Sequence, residues 1–161
     1  MQNSFRGDWA MGETIVTSEE FNKTNKQGIR SEWKIAYRLL CAGWEVQIGN
    51  IDGRQDIYAR KNRKERIEIK NEDNYESSGN ICIETFQGKT EKKYSGIMIS
   101  ESTCYIHTLG ENCCVYRTQP MRLWLLHSEI AEKPFGAADN GNGGFILSWK
   151  SFLNFSWFQY L

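Results

Sequence analysis

Two short stretches constrain this chain more than anything else in it: Gln55-Asp56-Ile57 and, further on, Ile67-Glu68-Ile69-Lys70. Side chains alternate between the two faces of a strand, so Glu68 and Lys70 point one way while Ile67 and Ile69 point into the sheet. Asp56 opens another apolar strand. If the two segments pair as a hairpin, Asp56 joins Glu68 and Lys70 on one face. Two carboxylates and an amine at one end of a sheet are the parts of a divalent-metal site with an activated water. Mg²⁺ is a hard cation held by one or two carboxylates plus water and phosphate oxygens. Bound metal lowers the pKa of water and stabilises charge on phosphate, and a lysine beside it can orient or deprotonate the attacking water. The same triplet also describes an exposed, salt-bridged hairpin.

The residues ahead of it favour the site. Residues 31–43 read as an amphipathic helix with Ile35, Leu39 and Ala42 at helical spacing, Ala36, Leu40 and Gly43 beside them, and Gly43 as its stop. Glu32 falls four residues before Ala36 and seven before Leu39, on or beside the buried stripe. An acid there is costly unless it is paired or binds metal; it can also favour the helix start. Residues 44–48 read as a strand, and Asn50-Ile51-Asp52-Gly53 as a turn.

Helix with Glu32, strand, turn, strand with Asp56, strand with Glu68-x-Lys70: this order resembles the PD-(D/E)xK nuclease superfamily, chiefly its small junction-resolvase-like, phage-type and homing members. Residues 28–71 carry the likeness, with 24 residues from Glu32 to Asp56 and 12 from Asp56 to Glu68. Gln55 stands where the family often has proline. The resemblance implies an α/β fold, a restriction-endonuclease-like αβββαβ core with a mixed sheet flanked by helices. It implies a Mg²⁺ (or Mn²⁺) site of Asp56 and Glu68, completed by Glu32, with Lys70 as the fourth catalytic residue.

Length allows one core and not two typical domains: residues 30–161 read as the nuclease domain and 1–29 as an arm or short helix, in which Thr17-Ser18-Glu19-Glu20 resembles a capping box. No apolar run approaches the roughly 20 residues of a membrane span, and Met1 to Arg6 lack the apolar core of a signal peptide. A cytoplasmic protein is therefore expected, and the small size with the nuclease resemblance implies a bacterial, archaeal or phage-infected cell. The five cysteines form no C-x-x-C pair. Cys41 and Cys82 read as small core residues. His107 with Cys104, Cys113 and Cys114 matches no common zinc spacing, and both histidines read as packing or surface residues.

Net charge is zero, which argues against a strongly basic DNA-coating protein, but residues 54–70 carry seven Lys or Arg against three acids. Arg54, Arg60, Lys61, Arg63 and Lys64, with Lys89, Lys92 and Lys93 further on, are candidate phosphate contacts. Taken alone, Arg60 to Arg66 read better as the solvated tip of a hairpin joining two strands; their closeness to the acids favours DNA contact. Residues 71–80 form a polar, acidic stretch that would repel phosphate unless it folds away. Glu84, in the strand-like run 81–85, reads either as an accessory site carboxylate or as an ordinary strand residue; Gln87 and Lys89 could reach water or phosphate. Residues 102–109 and 113–118 read as strands turned by Gly110-Glu111-Asn112, Pro120 suits the first turn of a following helix, and 139–144 form a loop that would close a hairpin between Phe135 and Phe145 or contact DNA. The aromatic tail from Phe145 reads as core or as an oligomer interface.

The expected function is a Mg²⁺-dependent DNA endonuclease, sequence-specific of the homing type or structure-specific, acting as a homodimer or higher oligomer on double-stranded or branched DNA. A Holliday-junction resolvase and a catalytically inactive DNA-binding module are the alternatives. No phosphate-binding glycine loop, nucleophile elbow or helical metal motif is present to support a metabolic enzyme.

Overall fold

The computed structural model describes residues 18–49, 56–72, 75–135 and 141–152. Helix α1 (Ser18–Cys41) starts within the capping-box-like run and passes position 29/30 unbroken. Ile35, Ala36 and Leu39 are its buried stripe, whereas Leu40 is 54% exposed and Ala42 also faces solvent. The stripe is thus narrower than the sequence pattern drew it. Gly43, at φ 79°, ends the helix in the left-handed conformation glycine adopts without strain.

Strands β1 (Glu45–Ile48), β2 (Ile57–Arg60) and β3 (Lys64–Asn71) follow as an antiparallel meander, with Val46 opposite Ala59 and Ile57 opposite Ile67. The turn expected at residues 50–53 lies outside the described residues. After β3 the chain makes the single-turn α2 (Tyr75–Ser78), β4 (Asn80–Gln87), β5 (Lys93–Tyr94) and a 3-10 turn at Gly96–Met98. It then returns as β6 (Cys104–Leu109) parallel to β3, and β7 (Asn112–Arg117) closes the first sheet in the order β1-β2-β3-β6-β7. Helix α3 (Thr118–His127), with Pro120 in its first turn, leads to β8 (Lys133–Pro134), β9 (Gly143–Ser148) and α4 (Trp149–Phe152). Strands β8 and β9 pair as the expected hairpin, with the Phe135 N–H on the Asn142 carbonyl at 3.1 Å. A second, four-stranded sheet, β5-β4-β9-β8, is the element the sequence did not announce.

Two cores hold these layers. Ile35, Ala36 and Leu39 of α1 pack on Ile57, Ala59, Ile67, Ile69 and Ile106, filling one face of the first sheet. On the other face, Tyr105, Leu109, Cys114 and Tyr116 meet Ile81, Ile83, Phe145 and Leu147 of the second sheet and Met121 and Leu125 of α3. The second sheet covers only the β6–β7 half of that face. Among the described residues no helix is long and apolar enough to cross a membrane.

The cysteines sort differently from their sequence reading. Cys41 is exposed and Cys82 half-buried, because one lies two residues past Leu39 on the helix and the other alternates with Ile81 and Ile83; Cys104, Cys113 and Cys114 are the buried ones. Glu65, which had looked like one more charge in a basic turn, is 5% exposed. Arg117 Nη1 donates to its two oxygens at 2.7 and 2.6 Å, Thr103 Oγ1 donates at 2.5 Å, and Arg63 pairs with it as well. This clasp ties the start of β3 to the end of β7. Losing charged hydrogen bonds of this kind costs about 2 kcal/mol, so Glu65→Ala should destabilise the fold by that amount in urea titration, with no change in far-UV circular dichroism at zero urea.

Candidate active site

The β2–β3 register assembles the sequence-predicted triplet. Asp56 immediately precedes β2, and its N–H bonds the Ile67 carbonyl at 3.2 Å, continuing the ladder. Its Oδ2 accepts the Ile69 N–H at 2.7 Å. That bond gives the carboxylate a defined orientation at the seam between the two strands. Glu68 and Lys70 stand on the sheet face away from α1, with Lys70 Nζ donating to Glu68 Oε1 at 2.6 Å. Across the parallel ladder Glu68 lies opposite Tyr105 and Lys70 opposite His107.

Glu32 arrives from α1. Ser31 is buried and donates to Asn71 Oδ1 at 3.2 Å, and Thr108 Oγ1 donates to the same oxygen at 2.8 Å. These bonds fix the helix at the C-terminal ends of β3 and β6, so the next side chain, Glu32, points toward the acids. Its pKa is raised by partial burial and then by the charges of Asp56 and Glu68. Glu68 is raised by burial too; Lys70 offsets part of the rise, and Asp56 and Glu84 add to it. Desolvation works against the Lys70 ammonium, but the charge and hydrogen bond of Glu68 outweigh it and the Lys70 pKa goes up. Burial pushes the Tyr105 hydroxyl up to about 12.

Glu84 comes from the second sheet, the side the sequence could not place. It accepts Ser95 Oγ at 2.5 Å on Oε1 and Asn142 Nδ2 at 3.4 Å on Oε2. It shares a cavity of about 240 Å³ with Lys70. Gly96, at φ 51°, presses on its backbone; a Cβ there would come within 2.4 Å of the Glu84 carbonyl oxygen. Gln87 lies at the exposed end of β4 opposite Lys93, away from this cluster. Glu32, Asp56, Glu68, Lys70 and Glu84 are therefore brought together, and Gln87 is not.

The donor set is that of a hard cation: carboxylate oxygens without sulfur or imidazole. Among the described residues no group of three or more His, Cys, Asp or Glu side chains is placed to hold a metal ion together. The set suits a Mg²⁺ that keeps several waters on one or two carboxylates.

Beside the acids the uncovered half of the sheet face forms a groove of about 670 Å³ floored by Gln47, Tyr58, Arg60, Lys64 and Arg66. Tyr58 and Arg66 are register partners one step along from Asp56 and Glu68 on that face. Of the expected phosphate contacts, Arg60 is paired with Glu45, Lys61 Nζ donates to the Ala42 carbonyl at 2.7 Å, and Arg63 is turned to Glu65. Lys64 is exposed at the groove, Lys92 stands 4.1 Å from the centre of the Phe86 ring, Lys93 is 3.8 Å from Glu91, and Lys89 is exposed in the β4–β5 turn. Arg54 lies outside the described residues. Arg66, paired at 3.4 Å with Glu101, is a groove cation the sequence reading did not single out; its position two before Glu68 was the available signal.

Because both folded values lie above the ordinary glutamate value of 4.5, ionising Glu32 and Glu68 favours the unfolded chain. The stability they allow is present below that value and lost as pH rises through the folded values. The melting temperature of the double variant Glu32→Gln/Glu68→Gln should therefore gain on the wild type between about pH 4 and about pH 7. A gap that stays constant over that range would refute the crowding of charge.

No family model matches the chain, and no curated protein does. Among solved structures it is similar in fold to the bacterial homing endonuclease I-Ssp6803I, with a TM-score of 0.51 and 15% identity over 62% of this chain and 72% of that one.

Proposed function

We propose that this chain is a Mg²⁺-dependent (or Mn²⁺-dependent) DNA endonuclease of the PD-(D/E)xK type. One observation carries the reading: Asp56, Glu68 and Lys70 meet on two paired strands at the mouth of an open, partly basic groove. The fold likeness to a bacterial homing endonuclease supports it.

Asp56 and Glu68 would hold the metal, and Glu32 would complete its shell directly or through water. When bound, the metal supplies positive charge for the scissile phosphate and a water of lowered pKa. Lys70 positions the attacking water and stabilises charge on the phosphate oxygens during in-line displacement. The Asp56 bond to the Ile69 N–H keeps the acid oriented through this step. Arg60, Lys64 and Arg66 carry the duplex backbone along the groove, where each phosphate contact adds to the salt dependence of binding.

A double-strand cut by one-site subunits needs two copies or successive encounters. Helix α1 offers a surface for this: Ile29, Trp33, Tyr37 and Leu40 follow one another at helical spacing and are 49, 62, 69 and 54% exposed. A homodimer or higher oligomer is expected, and a monomer mass by light scattering at micromolar protein would count against it.

The reading is tested on supercoiled plasmid with Mg²⁺, beside a synthetic four-way junction and chelator controls. Lys70→Ala and Asp56→Asn should each lower the cutting rate at least about 100-fold while duplex binding persists; turnover retained in Lys70→Ala would sink the assignment. Discrete plasmid products with an intact junction indicate a sequence-specific enzyme, and symmetric junction cuts a resolvase. Binding without any cutting would leave a DNA-binding module on this fold. Lys64→Ala/Arg66→Ala should flatten the plot of log affinity against log salt by roughly two.

A further inference from the structure

Lys70 stands between two carboxylates. Glu68 precedes it by two residues and Glu72 follows by two, and such positions share a face of extended chain. The extended course continues past β3, with the Glu72 N–H on the Thr108 carbonyl at 3.1 Å. Lys70, Glu72 and His107 line the same cavity of about 240 Å³. Strand alternation thus sets a carboxylate on either side of Lys70 along the chain, and the ammonium is paired with Glu68.

The structure shows what settles the choice. Lys70 bonds Glu68 at 2.6 Å. Glu72 Oε1 is instead engaged by the His107 ring at Nδ1, 2.7 Å away, and by the Cys82 backbone N–H at 3.2 Å. His107 is 1% exposed, lies opposite Lys70 in the β3–β6 ladder, and meets the Tyr116 hydroxyl with its other nitrogen at 2.7 Å. With a carboxylate at Nδ1, the neutral tautomer donates there and accepts from the Tyr116 hydroxyl, which satisfies all three groups.

We propose that the Glu72–His107–Tyr116 chain is a positioning device for the active site: His107 holds Glu72 away from Lys70, which leaves the amine to Glu68 and the attacking water. The catalytic consequence rests on the nuclease reading above; the choice of partner for Lys70 does not. His107 and Glu72 touch neither substrate nor metal in this scheme and act through Lys70.

Two isosteric variants separate this role from simple packing. His107→Asn puts an amide nitrogen near the place of Nδ1 and retains a donor to Glu72. His107→Gln puts it near the place of Nε2 and leaves Glu72 Oε1 with the Cys82 N–H alone. Both lose one hydrogen bond, and their melting temperatures, read alongside, confirm that each is folded. Lysine–carboxylate contacts are read by zero-length carbodiimide crosslinking of the full chain and fragment mass spectrometry; cutting is read on plasmid with Mg²⁺.

Wild type and His107→Asn should yield the Lys70–Glu68 amide, and His107→Gln the Lys70–Glu72 amide. His107→Gln should lose about tenfold in kcat, equivalent to roughly 1.4 kcal/mol of barrier, with KM little changed. Adding Glu72→Gln to His107→Gln removes the competing carboxylate and should restore most of the rate. A Lys70–Glu68 crosslink that persists in His107→Gln overturns the proposal. So does equal loss of activity in the Asn and Gln variants, or failure of Glu72→Gln to rescue. A wild type that never cuts DNA, yet shows the crosslink switch, upholds the positioning and removes the nuclease reading instead.

Discussion

The parallel pairing of β3 with β6 is the interaction on which the molecule's organisation depends. It joins an antiparallel meander on one side to an antiparallel pair on the other, so a single strand belongs to both halves. On the face away from α1, the second sheet packs over β6 and β7, and among the described residues it leaves β1 to β3 uncovered. Glu68 and Lys70 sit on the boundary strand, with buried Tyr105 and His107 on one side and an open groove on the other. Such a border sets the carboxylates between a covered and an open part of the sheet.

The same border explains the energetics. Three acids from three different elements crowd Glu68, and burial leaves their repulsion less screened than in water. One lysine offsets only part of this. Sites held this way are commonly less stable than the surrounding fold would allow, and the two apolar cores and the Glu65–Arg117 clasp supply the compensating stability.

Much of this was legible in the residues themselves. The alternation around Ile67 and Ile69, the acid ahead of Ile57 and the helical spacing of Ile35 and Leu39 were enough to place Asp56, Glu68, Lys70 and Glu32 on their elements. Local period carries that information. The second sheet was not legible, because β5 and β8 have two residues each and β4 pairs with β9 across more than fifty residues. For the same reason Glu84 stayed ambiguous: its place depends on a non-local pairing. The basic run from Arg60 to Arg66 misled in the opposite direction. Charge counting treats its members alike, whereas packing turns Arg63 inward to a buried acid and leaves Lys64 and Arg66 on the groove. The strand β6, buried at every position, shows no alternation from which Tyr105 and His107 could have been assigned a face.

The C-terminal half of helix α1 is pinned at several points. Ser31 bonds Asn71 near Glu32, Lys34 Nζ donates to the Gly110 carbonyl at 2.6 Å, and Lys61 from the β2–β3 turn caps the carbonyl of Ala42 just past the helix end. The helix is therefore a strut between the turn that borders the groove and the acid that borders the carboxylate cluster. Groove width and the reach of Glu32 are not independent variables in such a frame. Sequence change that reshapes the β2–β3 turn alters both, so the chemistry of the groove is changed more independently by side-chain exchange on the strand floor, at Gln47, Tyr58 and Arg66, than by insertions in the turn.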